Sequence, residues 1–274
     1  MTETSPAAEA EQAPHSEIDT TVAQSARVWN YWLGGKDNYA VDRAMGDQVE
    51  SQFPSIVALA RASRAFQIRA VRYLAGEAGI RQFLDVGTGL PTANNTHEVA
   101  QSLAPESRIV YVESDPMVLV HARALLVGNP LGATDYIDAD ARDADTILRE
   151  AQRTLDLTRP VALILCGLLA HLPTYDEARA VVHRLLDPLP SGSHLMVADG
   201  SNASEEYLEA IRMWNQYANP QYHPRSPEQI AGYFEGLELV EPGVVPINHW
   251  HLGSRSSDQL PPPLPGCVGV GRKS

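Results

Sequence analysis

The 274-residue sequence predicts an α/β protein, a doubly wound parallel sheet behind an N-terminal helical cap. Two patterns carry this expectation. From residue 81 onward, short β-rich runs alternate regularly with helical stretches. Residues 21–79 instead show helical periodicity and no strand signal. A hydrophobic content of 44% is enough for one sizeable core.

Residues 1–20 carry Glu3, Glu9, Glu11, Glu17 and Asp19 without a Lys or Arg, and Ile18 is the single large aliphatic beyond Met1. Such a segment buries too little apolar surface to offset its ordering entropy, so a disordered acidic tail is expected. Val22 to Leu33 reads as a helix stopped at Gly34-Gly35, where glycine tolerates the left-handed C-cap conformation. Asn38 to Phe53 reads as a second helix. Pro54 suits the first position of a third, running to about Ala75. On the third helix Ile56, Leu59, Ala60, Phe66, Ala70, Val71 and Leu74 share one face. Arg61, Arg64, Arg69 and Arg72 gather on the other and read as solvated.

Strands are expected at Gln82–Val86, Arg108–Glu113, Thr134–Asp138, Val161–Cys166 and His194–Ala198, with helices near 93–104, 116–128, 143–155 and 174–187. After Asp199, Glu205–Tyr217 and Pro227–Phe234 look helical and Leu237–Ile247 extended. Pro261–Pro265 reads as an extended connection to a last strand at Cys267–Val270. The domains are therefore a tail over 1–20, a helical cap over 21–79 and a ligand-binding domain over 80–274.

A net charge of −13 makes a nucleic-acid partner unlikely on electrostatic grounds. Two cysteines make neither a disulfide framework nor a zinc site. The longest apolar run, Val161 to Ala170, is half the ~20 residues of a membrane span. The start has neither the basic nor the apolar region of a signal peptide. A soluble, reduced, cytoplasmic protein is the expectation.

Three elements carry chemistry. The first sheet strand ends in Asp85-Val86-Gly87-Thr88-Gly89, where a glycine pair lets backbone approach a ligand. A dinucleotide fingerprint would place glycine or alanine at Thr92. The second strand ends in Glu113, suited to accept ribose hydroxyls. Asp140, past the third strand, is placed to accept from an adenine amino group. Successive strands of an open α/β sheet bind ligands at such carboxyl ends. No phosphate-cradling glycine run or Walker-type lysine accompanies them, so the ligand described is an adenosine without pyrophosphate.

At these residues the sequence resembles the class I S-adenosylmethionine-dependent methyltransferases, with their Rossmann-like seven-stranded sheet: Leu84-Asp85-Val86-Gly87-Thr88-Gly89, then Tyr111-Val112-Glu113. More narrowly, Leu33-Gly34-Gly35-Lys36-Asp37-Asn38 and Gly87-Thr88-Gly89-Leu90-Pro91-Thr92 resemble a bacterial S-adenosyl methyltransferase family, long catalogued as a domain of unknown function. The likeness runs from about residue 22 to 273. It implies S-adenosyl-L-methionine as cofactor, with contacts at Asp85, Gly87, Gly89, Glu113 and Asp140. The adjacent Thr88, Ser114 and Ala141, together with Cys166, complete the cofactor-facing set. Family members often carry Asp where this chain has Glu113. Residues 203–222 also depart from the commoner family pattern.

Gly34 to Tyr39 is expected to fold over the methionine end of the cofactor as a lid. Lys36 or Arg27 then pairs with the cofactor carboxylate, and Tyr31 or Tyr39 lines the sulfonium or substrate, since an aromatic face stabilises a cation. His171, past the fourth strand, is a candidate general base because an imidazole suits proton removal at neutral pH. Cys166 reads as a small buried side chain rather than a nucleophile.

Asp138, Asp140, Asp143 and Asp145 do not make a calcium loop, because Arg142 occupies a ligand position. Asn219-Pro220-Gln221-Tyr222 resembles an amine-methyltransferase signature but follows the fifth strand instead of the fourth. His249 and His251 would share one strand face, short of a metal site. The expected function is methyl transfer to a small-molecule acceptor, oxygen slightly favoured. A non-catalytic cofactor-binding partner protein and a nicotinamide oxidoreductase are the alternatives.

Overall fold

The computed structural model describes residues 19–118, 128–251 and 259–274. The acidic tail through residue 18, and most of the helix expected over 116–128, lie outside the described residues.

A two-residue strand β1 (Ala23–Gln24) leads into α1 (Ser25–Trp32). The Gly34 N–H bonds to the Tyr31 carbonyl at 2.9 Å, and Gly34 sits at φ +81°, so glycine does end this helix. The following loop is built on Asn30, whose Oδ1 accepts from the Asp37 N–H (3.1 Å) and the Asn38 Nδ2 (3.0 Å). A Cβ at Gly35 would collide with that Asn30 side chain. Helix α2 (Ala40–Gln52) opens with Asp42 accepting the Tyr39 N–H at 2.8 Å. Helix α3 (Ile56–Gly76) begins two residues after Pro54, after a turn in which the Ile56 N–H bonds the Phe53 carbonyl.

The main sheet contains β2 (Gln82–Val86), β3 (Arg108–Glu113), β4 (Ala133–Asp138), β5 (Ala162–Cys166), β6 (His194–Gly200), β8 (Leu237–Leu239), β9 (Val245–Pro246) and β10 (Gly266–Lys273). Its order is β4-β3-β2-β5-β6-β10-β8, with β9 also on β10. The five strands from β4 to β6 are parallel, whereas β10 runs antiparallel to β6. This is the Rossmann-like arrangement of a class I methyltransferase. The expected single extended segment over 237–247 is instead two short strands, because Pro242 and Gly243 (φ +83°) turn the chain between them. His249 and His251 lie in a turn and not on one strand face; their Nε2 atoms bond the Pro261 and Glu241 carbonyls.

Alternate strand residues face opposite layers. Phe83, Ile109, Ile164 and Met196 pack under α1, α2, α3 and α7 (Glu205–Tyr217). Leu84, Val110, Leu163, Leu165 and Val197 pack under α5 (Ala144–Ala151), α6 (Tyr175–Leu186) and α8 (Pro227–Gly232). Both faces being covered, the central strands are nearly continuous apolar runs. Each such side chain, fully buried, contributes about 1.5–3 kcal/mol. The cap helices thus share one core with the sheet they cover. No described helix is long and apolar enough to cross a membrane.

Candidate active site

The strand order reverses at β2 while all five strands stay parallel: β3 and β4 lie on one side of β2, and β5 and β6 on the other. A crevice at the carboxyl ends of these strands is where an open α/β sheet takes a ligand. Gly87 (φ +74°) and Gly89 (φ +63°) both sit there in the left-handed region. A Cβ at Gly87 would lie 2.8 Å from Leu168 Cδ1, whereas at Gly89 it would meet open space. The turn does not run directly into a helix. Residues 90–95 intervene before α4 (Thr96–Leu103), and Asn95 donates its N–H to Glu98 Oε2 at 2.7 Å at the helix start.

Beneath the turn, Asp85 is 3% exposed and accepts the Thr96 hydroxyl at 2.6 Å. Burial pushes its carboxyl up to about 6, against the pull of Thr96 and of the Arg64 guanidinium. Arg64 is the residue the sequence reading missed. Its helix face was expected to be solvated, yet the guanidinium turns into the site, and burial lowers its pKa while Asp85 raises it. It donates to Gln67 Oε1 (2.7 Å) and to the Ala93 carbonyl (3.0 Å), beside the glycine turn. Its Nε is buried with no hydrogen-bond partner among the described residues. Arg69 also departs from the solvated face, bonding the Trp250 carbonyl through Nε at 3.0 Å. Arg61 and Arg72 are exposed as expected. At about 100° per residue Arg64 and Arg69 lie about 90° and about 130° from the middle of the apolar face, whereas Arg61 and Arg72 lie nearly opposite it, so the helical wheel was the signal that could have set the first pair apart.

Glu113 ends β3 with its carboxylate under the turn. Oε2 accepts the Gly89 N–H at 3.0 Å; Oε1 accepts the Ser114 (2.9 Å) and Asp115 (3.2 Å) amides. Burial raises its pKa and these amides lower it. A carboxylate offers about four acceptor positions, so about one is left for a ribose hydroxyl. Asp140 is more exposed and paired with Arg142 at 2.8 and 2.6 Å, which lowers its pKa. The next residue, Ala141, is buried. Thr88 bonds only its neighbour, through Oγ1 to the Gly89 carbonyl at 3.3 Å.

The cap meets this turn directly, with Ala26 of α1 packing against Leu90, Met117 and Val118. Arg27 does not serve a cofactor carboxylate. It is 2% exposed and paired at 2.9 Å with the fully buried Asp42, and its remaining nitrogens donate to the Asp19 (2.8 Å) and Val22 carbonyls (2.5 Å). Every guanidinium nitrogen is engaged in holding the cap together. Tyr39 lies with the Arg27 guanidinium 5.2 Å from its ring centroid, and the Tyr31 hydroxyl donates to Asp47 at 2.6 Å. Lys36 is exposed.

On the β5–β6 side, His171 lies in a single 3-10 turn, Leu169–His171. Its Nδ1 is 2.9 Å from the Gln221 carbonyl and its Nε2 is 3.1 Å from Ser25 Oγ. A carbonyl only accepts, so Nδ1 carries the proton and Nε2 keeps a lone pair. Burial lowers the imidazole pKa and favours this neutral form. The Tyr222 ring meets His171 edge-on at 5.0 Å. Its hydroxyl donates to Asp199 Oδ1 (3.2 Å) and accepts the Gly200 N–H (2.9 Å). Asn215 clamps the Tyr222 backbone, accepting its N–H and donating to its carbonyl, both at 2.8 Å. The Asn219–Tyr222 segment thus seats His171, although its resemblance to an amine-methyltransferase signature gave no hint of this. Asp199 is pushed up to about 7 by burial, and its Oδ2 has no hydrogen-bond partner among the described residues. Cys166 ends β5 between Asp85 and Asp199, and burial with both carboxylates raises its thiol pKa. It is a poor nucleophile.

A groove of about 1200 Å³ lies at the opposite, amino ends of the strands, lined by Arg81, Glu106 and Arg108 among others, away from these groups.

A family model described as S-adenosyl methyltransferase matches residues 11–274. No curated protein matches the chain. A crystal structure of a DUF574 family protein from Streptomyces avermitilis is 44% identical, covering 94% of this chain and 100% of its own, with a TM-score of 0.89. A Thermobifida fusca structure described as a methyltransferase is 41% identical, covering 93% and 97%, with a TM-score of 0.86. Magnesium protoporphyrin IX methyltransferase from Synechocystis shares the fold at 12% identity, covering 90% and 93%, with a TM-score of 0.52. The chain belongs to the S-adenosyl methyltransferase family, whose cofactor is S-adenosylmethionine.

Proposed function

We propose that the protein transfers a methyl group from S-adenosylmethionine to a hydroxyl of a small molecule. The chemistry of the donor set fits the cofactor. Asp85 and Arg64 lie near the glycine turn with complementary charges, suited to an amino-acid ammonium and carboxylate, and the Arg64 Nε, unpartnered among the described residues, supports this reading. Gly87 and Gly89 hold the turn open, Thr88 and Ser114 flank it, Glu113 takes one ribose hydroxyl, and Asp140 with Ala141 borders the base. Cys166 closes the crevice on the β5 side. Lys36, Tyr31 and Tyr39 form the cap side, where Tyr39 would face the sulfonium or acceptor.

When bound, the cofactor supplies a methyl on a sulfonium, electrophilic enough that positioning of the acceptor provides much of the catalysis. The chain's own contribution is proton removal. The observation that carries the oxygen assignment is the neutral His171, its Nδ1–H anchored and its Nε2 lone pair directed at a hydroxyl.

The test is methyl transfer from radiolabelled S-adenosylmethionine to matched phenols, alcohols and amines. Hydroxyl acceptors should turn over, and His171→Gln should cost about 10²–10⁴-fold in kcat with cofactor affinity unchanged. Turnover of amines alone would overturn the oxygen assignment. Cofactor binding without turnover of any acceptor would point to a binding protein.

A further inference from the structure

We infer that Ser25 occupies the acceptor's hydroxyl position, so that the acceptor must displace the serine hydroxyl from His171. The inference deepens the proposed function and rests on it.

The Ser25 hydroxyl lies 3.1 Å from the only free lone pair of the His171 ring, because the other ring nitrogen is committed to the Gln221 carbonyl. A base accepting from a serine hydroxyl at this distance can accept from an acceptor hydroxyl only by losing the serine. Ser25 is also the first residue of α1, directly after β1, which pairs in parallel with β7 (Ala218–Asn219). That pairing is two residues long: Ala23 opposite Ala218 and Gln24 opposite Asn219. The ladder is not the strand's main tie: the Gln24 N–H bonds the buried Asp42 carboxylate at 3.0 Å, and Ala23 is buried in the core. The strand it pairs with leads straight into Gln221 and Tyr222, which seat His171.

Ala26 packs on Leu90, and Arg27 is locked to Asp42. The arm is therefore fixed on both sides of Ser25, with Arg27 also holding the Val22 carbonyl, and rotation of the serine side chain rather than release of the arm frees the base. Ser25 is accordingly a specificity-determining residue. It selects acceptors whose hydroxyl binds His171 better than an intramolecular one already in place.

The experiment uses full-length protein labelled with ¹⁵N-histidine and loaded with S-adenosylhomocysteine, with phenol as the hydroxyl probe and benzylamine as the amine control. The His171 Nε2 resonance, assigned by its loss in His171→Gln, reads occupancy of the lone pair. Phenol should shift it, and Ser25→Ala should bind phenol about five- to tenfold more tightly, the equivalent of one ordinary hydrogen bond. Ser25→Thr, which keeps the hydroxyl, should behave as the unaltered chain. Equal or weaker phenol affinity in Ser25→Ala overturns the inference, as does no shift with phenol in either protein or a shift with benzylamine alone. S-adenosylmethionine affinity, measured by calorimetry on the same proteins, keeps the two readings apart. Failure of the unaltered chain to bind the cofactor sinks the methyltransferase reading. Normal cofactor binding with no effect of Ser25→Ala on phenol sinks this inference alone.

Discussion

Arg27 and Arg64 stand on neighbouring cap helices, each facing a buried carboxylate, and the two regions differ in one respect. Arg27 spends every nitrogen on Asp42 and on two carbonyls of its own arm. Arg64 holds a loop carbonyl and Gln67 but keeps Nε unpartnered, beside Asp85 and the glycine turn. Burial of charge is common to both and so does not mark function. Hydrogen-bonding capacity left over at a crevice does, because an orphaned buried donor costs about 1–3 kcal/mol unless something uses it. Arg179 Nε is also unpartnered, yet it lies on α6 away from the crevice, so the orphan counts only together with its location.

Breaking the Arg27 side should have the largest effect. Arg27→Met strands Asp42 in the core and should cost about 3–5 kcal/mol, seen as a fall of about 10 °C in Tm. The double variant Arg27→Met with Asp42→Asn should recover part of that loss, since Asn removes the buried charge but keeps an acceptor for the Gln24 and Tyr39 amides. Cofactor affinity, measured below the transition, should stay unchanged in both. If Arg27→Met weakens cofactor binding while stability holds, the contrast between the two arginines fails.

Arg64→Met should give the reverse pattern. Loss of a charge-assisted pair should weaken S-adenosylmethionine about 10–100-fold by calorimetry, with Tm nearly unchanged. Arg64→Lys should recover only part, since a point charge does not reproduce the planar fork. A large Tm loss with unchanged cofactor affinity would make Arg64 a structural twin of Arg27.

What the sequence disclosed follows the same division. Gly87, Gly89 and Glu113 were legible because a parallel strand, a left-handed turn and the next strand's end are all local patterns. The strands β2 and β3 were readable to the residue for that reason. Helix α1 and its glycine stop were equally local. Arg64 was missed although helical periodicity sets it at the border of the apolar face, because that position says nothing of the loop folded against it. Arg27 was misassigned for a related reason: its partner Asp42 sits on another helix, and only tertiary packing joins them. The seat of His171 was beyond reach, because Ser25, Gln221 and Tyr222 converge from three separate stretches of chain.

The smallest expected effect concerns Asp199, the carboxylate counterpart of Arg64 on the acceptor side, whose Oδ2 likewise has no hydrogen-bond partner among the described residues. Its pKa is raised in the folded protein to about 7 by burial, above the ordinary value near ~3.9 of an unfolded chain. The folded state therefore keeps this proton after the unfolded state has lost it. Its contribution is full below pH ~4 and is lost as the pH rises through about 7, at about 1.4 kcal/mol per pH unit where the slope is steepest. Asp85, raised to about 6, adds a slope of the same sign over a narrower window. Surface carboxylates with lowered pKa, such as Asp143 and Asp156, act oppositely. The informative quantity is thus the difference between the unaltered chain and Asp199→Asn, followed by denaturant titration from pH 4 to 8. That difference should grow in favour of Asn as the pH rises, because an amide has no proton to lose in the buried site. A difference that stays flat across the range would mean that Asp199 is ionised throughout, its Oδ2 charge met by Arg225 or by a donor from the crevice. Either result separates a carboxyl held neutral for the acceptor side from one met by donors, as Asp42 is by Arg27 and by the Gln24 and Tyr39 amides.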